Sequence, residues 1–162
     1  MQKSKTGYIA GLLLVLAVAA QSAAAGSLPP LSPSAKDKCP VCGMFVAKYP
    51  DWLAQVRFKD QKTVFFDGAK DFFKYYFKIK NYHPARSAAD VGAVYVTDYY
   101  TVRFIDAAAA FFVAGSDVYG PMGRELIGFS SEENAKEFRR DHRGRKILRF
   151  GEVSPELLRT LD

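Results

Sequence analysis

Short runs of aromatic and β-branched residues, each closed by a polar or glycine-bearing turn, recur along this chain from Trp52 onward. With 13 Phe and 9 Tyr, aromatic residues make up 14% of the sequence. Such residues favour pleated, half-buried surfaces, so the pattern suits a β-rich α+β fold better than a helical bundle. Residues 52–58 alternate in polarity, 59–62 form a polar turn and 63–66 resume the pattern, which predicts a β-hairpin. Residues 69–80 then repeat Phe72/Tyr76 and Phe73/Phe77 at i, i+4, the mark of a helix with one apolar face. Asp67, just before it, reads as the helix N-cap, with a supporting contact to a metal as its second possible role.

The second half predicts strands over 93–98, 101–105, 109–113, 125–129 and 147–150. Glycines and Pro121 mark 115–123 as a loop. Ser130, with Glu133 three residues on, predicts a capping box opening a helix that runs to about Asp141. Ser154-Pro155-Glu156 opens a last short helix. A weak repeat aligns Phe66-Asp67 and Ala69-Lys70-Asp71-Phe72 with Phe129-Ser130 and Ala135-Lys136-Glu137-Phe138. The loops bearing Met44 and Met122 parallel one another in the same scheme. The expected organisation is therefore two small similar ββαβ modules packed together, the first over 38–80 and the second over 93–162, joined by a linker over 81–92.

The N-terminus adds a destination. Lys3 and Lys5 precede an apolar run over 8–20, and Ala23-Ala24-Ala25 closes it. That order is a signal peptide over 1–25 that directs the chain to an oxidising compartment, the bacterial periplasm. Left uncleaved, the same segment would anchor the chain, although it is short for a membrane span. No cysteine follows it to carry a lipid. Pro29, Pro30 and Pro33, among serines, make 26–37 a flexible tether. The formal charge is +6, of which Lys3 and Lys5 supply two, leaving a spread-out +4. No basic stripe with interleaved aromatics points to nucleic acid.

The chemistry is concentrated in Cys39-Pro40-Val41-Cys42-Gly43-Met44, which holds both cysteines and one of the 3 methionines. A Cys-x-x-Cys pair serves as a redox couple, a disulfide staple or a metal half-site. A redox couple normally sits at a helix N-terminus, yet a β-type stretch follows here. A closed zinc site wants four ligands, and beyond this pair there are only His83 and His142, far apart and read as solvated. Cu(I) accepts few, soft ligands, thioether included. Cys42 and Met44, with Gly43 between them to turn the backbone, suit it. Cys39 is a third sulfur or the disulfide partner of Cys42, and Met122 a further thioether. No catalytic constellation stands out, so an enzyme is not expected. A thiol-disulfide redox protein using Cys39 and Cys42, and a metal-sensing or interaction module, remain open on these grounds.

The ordered set Cys39–Met44, Val64-Phe65-Phe66-Asp67, Val96-Thr97-Asp98-Tyr99, Ala110-Phe111-Phe112-Val113, Gly120-Pro121-Met122-Gly123 and Ala135-Lys136-Glu137-Phe138 resembles the NosL family, accessory proteins of nitrous oxide reductase. The resemblance spans roughly Lys38 to Phe150. It implies two ββαβ modules, Cu(I) bound through Cys42 and Met44, and delivery to a client cuproenzyme, nitrous oxide reductase, or exchange with another copper-delivery partner. The chain would act as a monomer or a copper-bridged homodimer. The Cys-Pro-x-Cys-Gly-Met start also resembles YHS and TRASH metal-binding domains. Those with a full site carry more cysteines after the aromatic strand, where this chain has Phe66-Asp67-Gly68-Ala69.

Overall fold

A computed structural model describes residues 28–162; the expected signal peptide over 1–25 lies outside them. The predicted hairpin forms as β1 (Ala54–Phe58) and β2 (Thr63–Phe66), with Ala54 opposite Phe66 and Arg57 opposite Thr63. Helix α1 (Ala69–Phe77) follows, and a break at Lys78 separates it from the single turn α2 (Ile79–Tyr82). Next come β3 (Val91–Asp98), β4 (Arg103–Asp106), β5 (Phe111–Gly120), β6 (Gly123–Phe129), α3 (Glu132–Asp141), β7 (Lys146–Arg149) and α4 (Pro155–Arg159).

Among the described residues all the strands share one sheet, ordered β2-β1-β3-β6-β5-β7, with β4 alongside β3. The topology is a repeat. In β1-β2-α1-β3 the first strand pairs with both others, and β5-β6-α3-β7 does the same. β3, which the sequence reading placed in the second module, thus completes the first. The two units join at a parallel contact, Asp98 beside Gly128.

Period-two alternation explains how one sheet serves two helices. On β5 and β6, Phe112, Ala114 and Leu126 enter the large core with Phe72 and Phe73 of α1. Their neighbours Val113, Ile127 and Phe129 enter a second core with Ala135 and Phe138 of α3. These strands are covered on both faces, which is why they read as unbroken apolar runs.

Several expectations give way to tertiary contacts. Residues 115–120 are strand rather than loop: β5 continues through a register shift between Ala114 and Tyr119, with Gly115 at φ +76. The Met122 turn is therefore the β5–β6 hairpin tip, equivalent to 59–62 and not to the Cys-Met loop. The described part of the tether is fastened, not free. Gln55 on β1 exchanges two hydrogen bonds of 2.9 Å with the Leu31 backbone, and Tyr95 Oη donates to the Leu28 carbonyl at 2.7 Å. Helix α3 is capped by Ser131, whose hydroxyl accepts from the Asn134 N–H, rather than by Ser130. Ser130 N–H is taken by Asp98 instead.

Candidate metal centre

The Cys-Met loop is a tight turn ahead of β1. Cys39 N–H donates to the Met44 carbonyl at 2.9 Å and Gly43 N–H to the Cys39 carbonyl at 2.8 Å. Gly43 adopts φ +79, a conformation an L side chain pays to enter. Backbone N–H groups of the turn favour the thiolates, those of Cys42 and Val41 at Cys39 and that of Met44 at Cys42. Both cysteines are free thiols. Cys39 is 1% exposed, while Cys42 and Met44 are half-buried, so the loop presents one sulfur to the interior and two toward the surface.

The start of α1 faces this loop with two carboxylates. Cys42 Sγ donates to Asp67 Oδ1 at 3.2 Å, and Cys39 Sγ donates to Asp71 Oδ2 at 3.4 Å. One ligand atom from each of Cys39, Cys42, Asp67 and Asp71 lies within 4.8 Å of all the others. The expectation that Asp67 caps α1 therefore fails: Gly68 is the N-cap residue, and Asp67 turns to Cys42. The cap comes from another element. Glu125 on β6 accepts the Lys70 N–H, closing the helix from across the sheet. A Cβ on Gly68 would lie 2.2 Å from Glu125 Oε2, so this close approach requires glycine.

Burial dominates the electrostatics. It pushes the Cys42 thiol up to about 12, opposed by the Met44 N–H and aided by Asp67. It pushes Cys39 up further, against the N–H groups of Cys42 and Val41, with Asp71 adding to the rise. Asp71 is raised by burial and then by the charge of Asp67 beside it, although its thiol contacts oppose the rise. A thiol-disulfide catalyst needs a thiol made acidic, so this environment counts against the redox reading. A metal cation reverses the balance by supplying the missing positive charge.

Met122 sits 43% exposed on the β5–β6 turn, whose carbonyl accepts from Lys70 Nζ at 2.9 Å. That bond ties the turn to Lys70 in the first turn of α1. The histidines lie elsewhere and are half-buried rather than solvated. His83 Nδ1 is 2.8 Å from Tyr75 Oη. His142 stacks on Phe138 with 4.3 Å between ring centroids and lies 3.3 Å from Asp117. Asp71 escaped the sequence reading. Its signal was an acid beside Phe72 and Phe73 in the first turn of an aromatic helix, four residues after Asp67, which itself precedes the Gly68 N-cap. Beside the loop, Val41, Phe77 and Tyr82 with Lys74, Lys78 and Arg159 line an open groove of about 350 Å³.

A family model described as NosL matches residues 30–158. The copper-binding lipoprotein NosL of Stutzerimonas stutzeri is 30% identical over 134 residues, covering 82% of this chain and 70% of that protein. The crystal structure of the copper chaperone NosL from Shewanella denitrificans superposes with a TM-score of 0.69 at 25% identity, covering 80% of this chain and 98% of that one.

Proposed function

Because the chain belongs to the NosL family, we propose that it is an exported, non-enzymatic copper-binding accessory protein that holds Cu(I) and passes it to a cuproenzyme. The observation that carries this reading is the Cys42-Gly43-Met44 turn. A thiol and a thioether stand two residues apart, both half-buried, on either side of the left-handed Gly43. Soft sulfur of both kinds in so short a span selects Cu(I) over harder cations. Partial exposure suits a cargo that must leave by ligand exchange. Cys39, held by the same turn, is the reserve thiol, and Met122 is the thioether contributed by the second module. Nitrous oxide reductase is the client this reading favours, and the periplasm is where transfer would occur.

The test is anaerobic titration of the reduced mature chain with Cu(I) against a chromophoric chelator. We expect roughly one equivalent bound, with affinity weakened about tenfold or more in Met44→Leu and in Cys42→Ser. Binding indifferent to Met44→Leu overturns the Cys42/Met44 site. Delivery is tested by reactivating copper-free nitrous oxide reductase; no gain over free Cu(I) at equal concentration rejects that client.

A further inference from the structure

We propose that the groove between α4 and strands β5 to β7 is a docking site for a short acidic segment of a partner protein, one that sets carboxylates beside a large apolar side chain. The groove encloses about 660 Å³, room for a few residues of chain rather than a single ion. None of its lining comes from the Cys39–Met44 loop, so the proposal stands or falls apart from the copper reading.

The floor is apolar and partly open. Leu148 of β7 and Leu157 of α4 pack against the large core yet stay half-buried, and the buried Ala114 and Leu161 close the space between them. Each half-buried leucine keeps some apolar surface in water, and a partner's apolar side chain can cover it.

The strand side is cationic and uncompensated. Arg124 on β6, Arg145 just ahead of β7 and Lys146 at its start are all exposed. Among the described residues none of the three has an ion-pair partner. Residues 1–27 contain no aspartate or glutamate, so the rest of the sequence has no acidic side chain to offer them. The Arg124 guanidinium lies over the Tyr119 ring at 5.7 Å, a contact that orients the charge without neutralising it. Arg145 is seated by the backbone. Its stem crosses Gly115, where a Cβ would come within 3.0 Å of Arg145 Cγ and Cδ. The left-handed Gly115, at φ +76, therefore leaves the space that Arg145 fills. A side chain held in this way loses less freedom when a carboxylate arrives.

The helix side sets the orientation. Its two acids are already engaged: Glu152 accepts the Arg149 N–H at 2.6 Å, and Glu156 pairs with Arg159 at 3.0 Å. They leave the strand-side cations free and repel a carboxylate placed on their own side, so an acidic segment fits one way round. An anionic bilayer is the poorer occupant. A flat surface does not reach the recessed leucines, and it brings its own charge against both glutamates.

The probe is a fluorescein-labelled peptide alternating glutamate with leucine, titrated against the reduced mature chain and read by fluorescence anisotropy. We expect saturable binding, at least about tenfold weaker when glutamine replaces the glutamates. The double variant Arg145→Glu, Lys146→Glu should weaken the glutamate–leucine peptide about tenfold or more and tighten a lysine–leucine one. Leu157→Ser should weaken the peptide without that reversal. Amide shifts on titration should centre on Gly115, Leu148 and Leu157. Circular dichroism and thermal melts establish that the variants fold, and Cu(I) uptake by the double variant should match that of the unaltered chain. Absence of binding, affinity unchanged in the folded double variant, or equal affinity for a glutamate–serine peptide overturns the proposal. So does binding to phosphatidylglycerol vesicles, lost in the double variant, when the peptide does not bind. Failure of Cu(I) binding with peptide binding intact rejects the copper reading alone.

Discussion

Gly43 illustrates what one residue decides. At φ +79 it reverses the chain between Cys42 and Met44, and a Cβ there would meet nothing within 4 Å. The cost of replacing it is thus purely conformational. Gly43→Ala is expected to lower stability by about 1–2 kcal/mol, read in urea melts, and to weaken Cu(I) binding by opening the turn. Gly68 is the opposite case. Its φ of −173 is ordinary extended backbone, but Glu125 Oε2 occupies the space of a Cβ. Gly68→Ala must therefore displace the buried Glu125 carboxyl, and we expect a larger loss, roughly 2–4 kcal/mol, from the unpaired helix start that results. A smaller loss in Gly68→Ala than in Gly43→Ala, measured in the same melts, would refute that account. Asp67 was open to misreading for a related reason. Aspartate before a helix is usually its cap, and only the arrival of Glu125 from β6 frees it to face Cys42.

At the scale of elements, α3 shows how local rules can be right in kind and wrong by one position. Ser130 and Ser131 both satisfy the cap preference, and Glu133 suits Ser130 as a capping-box partner. The choice is made by Asp98. Its carboxylate accepts N–H groups from Tyr100, Thr101 and Ser130, along with the Thr101 hydroxyl, so Ser130 belongs to the β3–β6 junction. Burial raises the Asp98 carboxyl, but the hydrogen bonds from Thr101 and Ser130 outweigh it and hold the group below the usual range. Ser131→Ala should cost about 1 kcal/mol and Ser130→Ala less, since the backbone N–H that Asp98 accepts survives the change and only the Ser130 hydroxyl's contribution to Asp98 is lost. Equal losses in thermal melts would refute the assignment. Strand β5 was underestimated for a similar reason. Its Gly115 and the turn residues 120–123 resemble one long loop, but pairing with β6 resumes at Tyr119 opposite Arg124.

For the molecule as a whole, the seam between the modules carries the pH dependence. Burial raises Glu125 from 4.5 to about 8, although the Leu126 and Lys70 N–H groups pull against it. Between those values the folded chain holds a proton that the unfolded chain has released. The stabilisation is complete below about pH 4.5 and is lost as pH rises through about 8. The full swing is on the order of 5 kcal/mol. Metal-free protein is thus expected to show a urea midpoint that falls from pH 5 to pH 9, and Glu125→Gln to flatten that slope. A midpoint that rises over the interval would contradict the assignment. The amino-acid sequence by itself determined the strand and helix types, the paired ββαβ pattern and the soft-sulfur loop, because periodicity, turn chemistry and ligand softness are local properties. Tertiary structure alone decided that β3 belongs to the first unit, that Leu28 and Leu31 are tied to the sheet, and that Glu125 closes α1. It also decided that Asp67 and Asp71 stand against Cys42 and Cys39. Those carboxylates are 25 and 32 residues from their thiols. No spacing rule reaches so far; they meet because aromatic packing seats α1 on the sheet, and that packing fixes which side of the helix the loop must face.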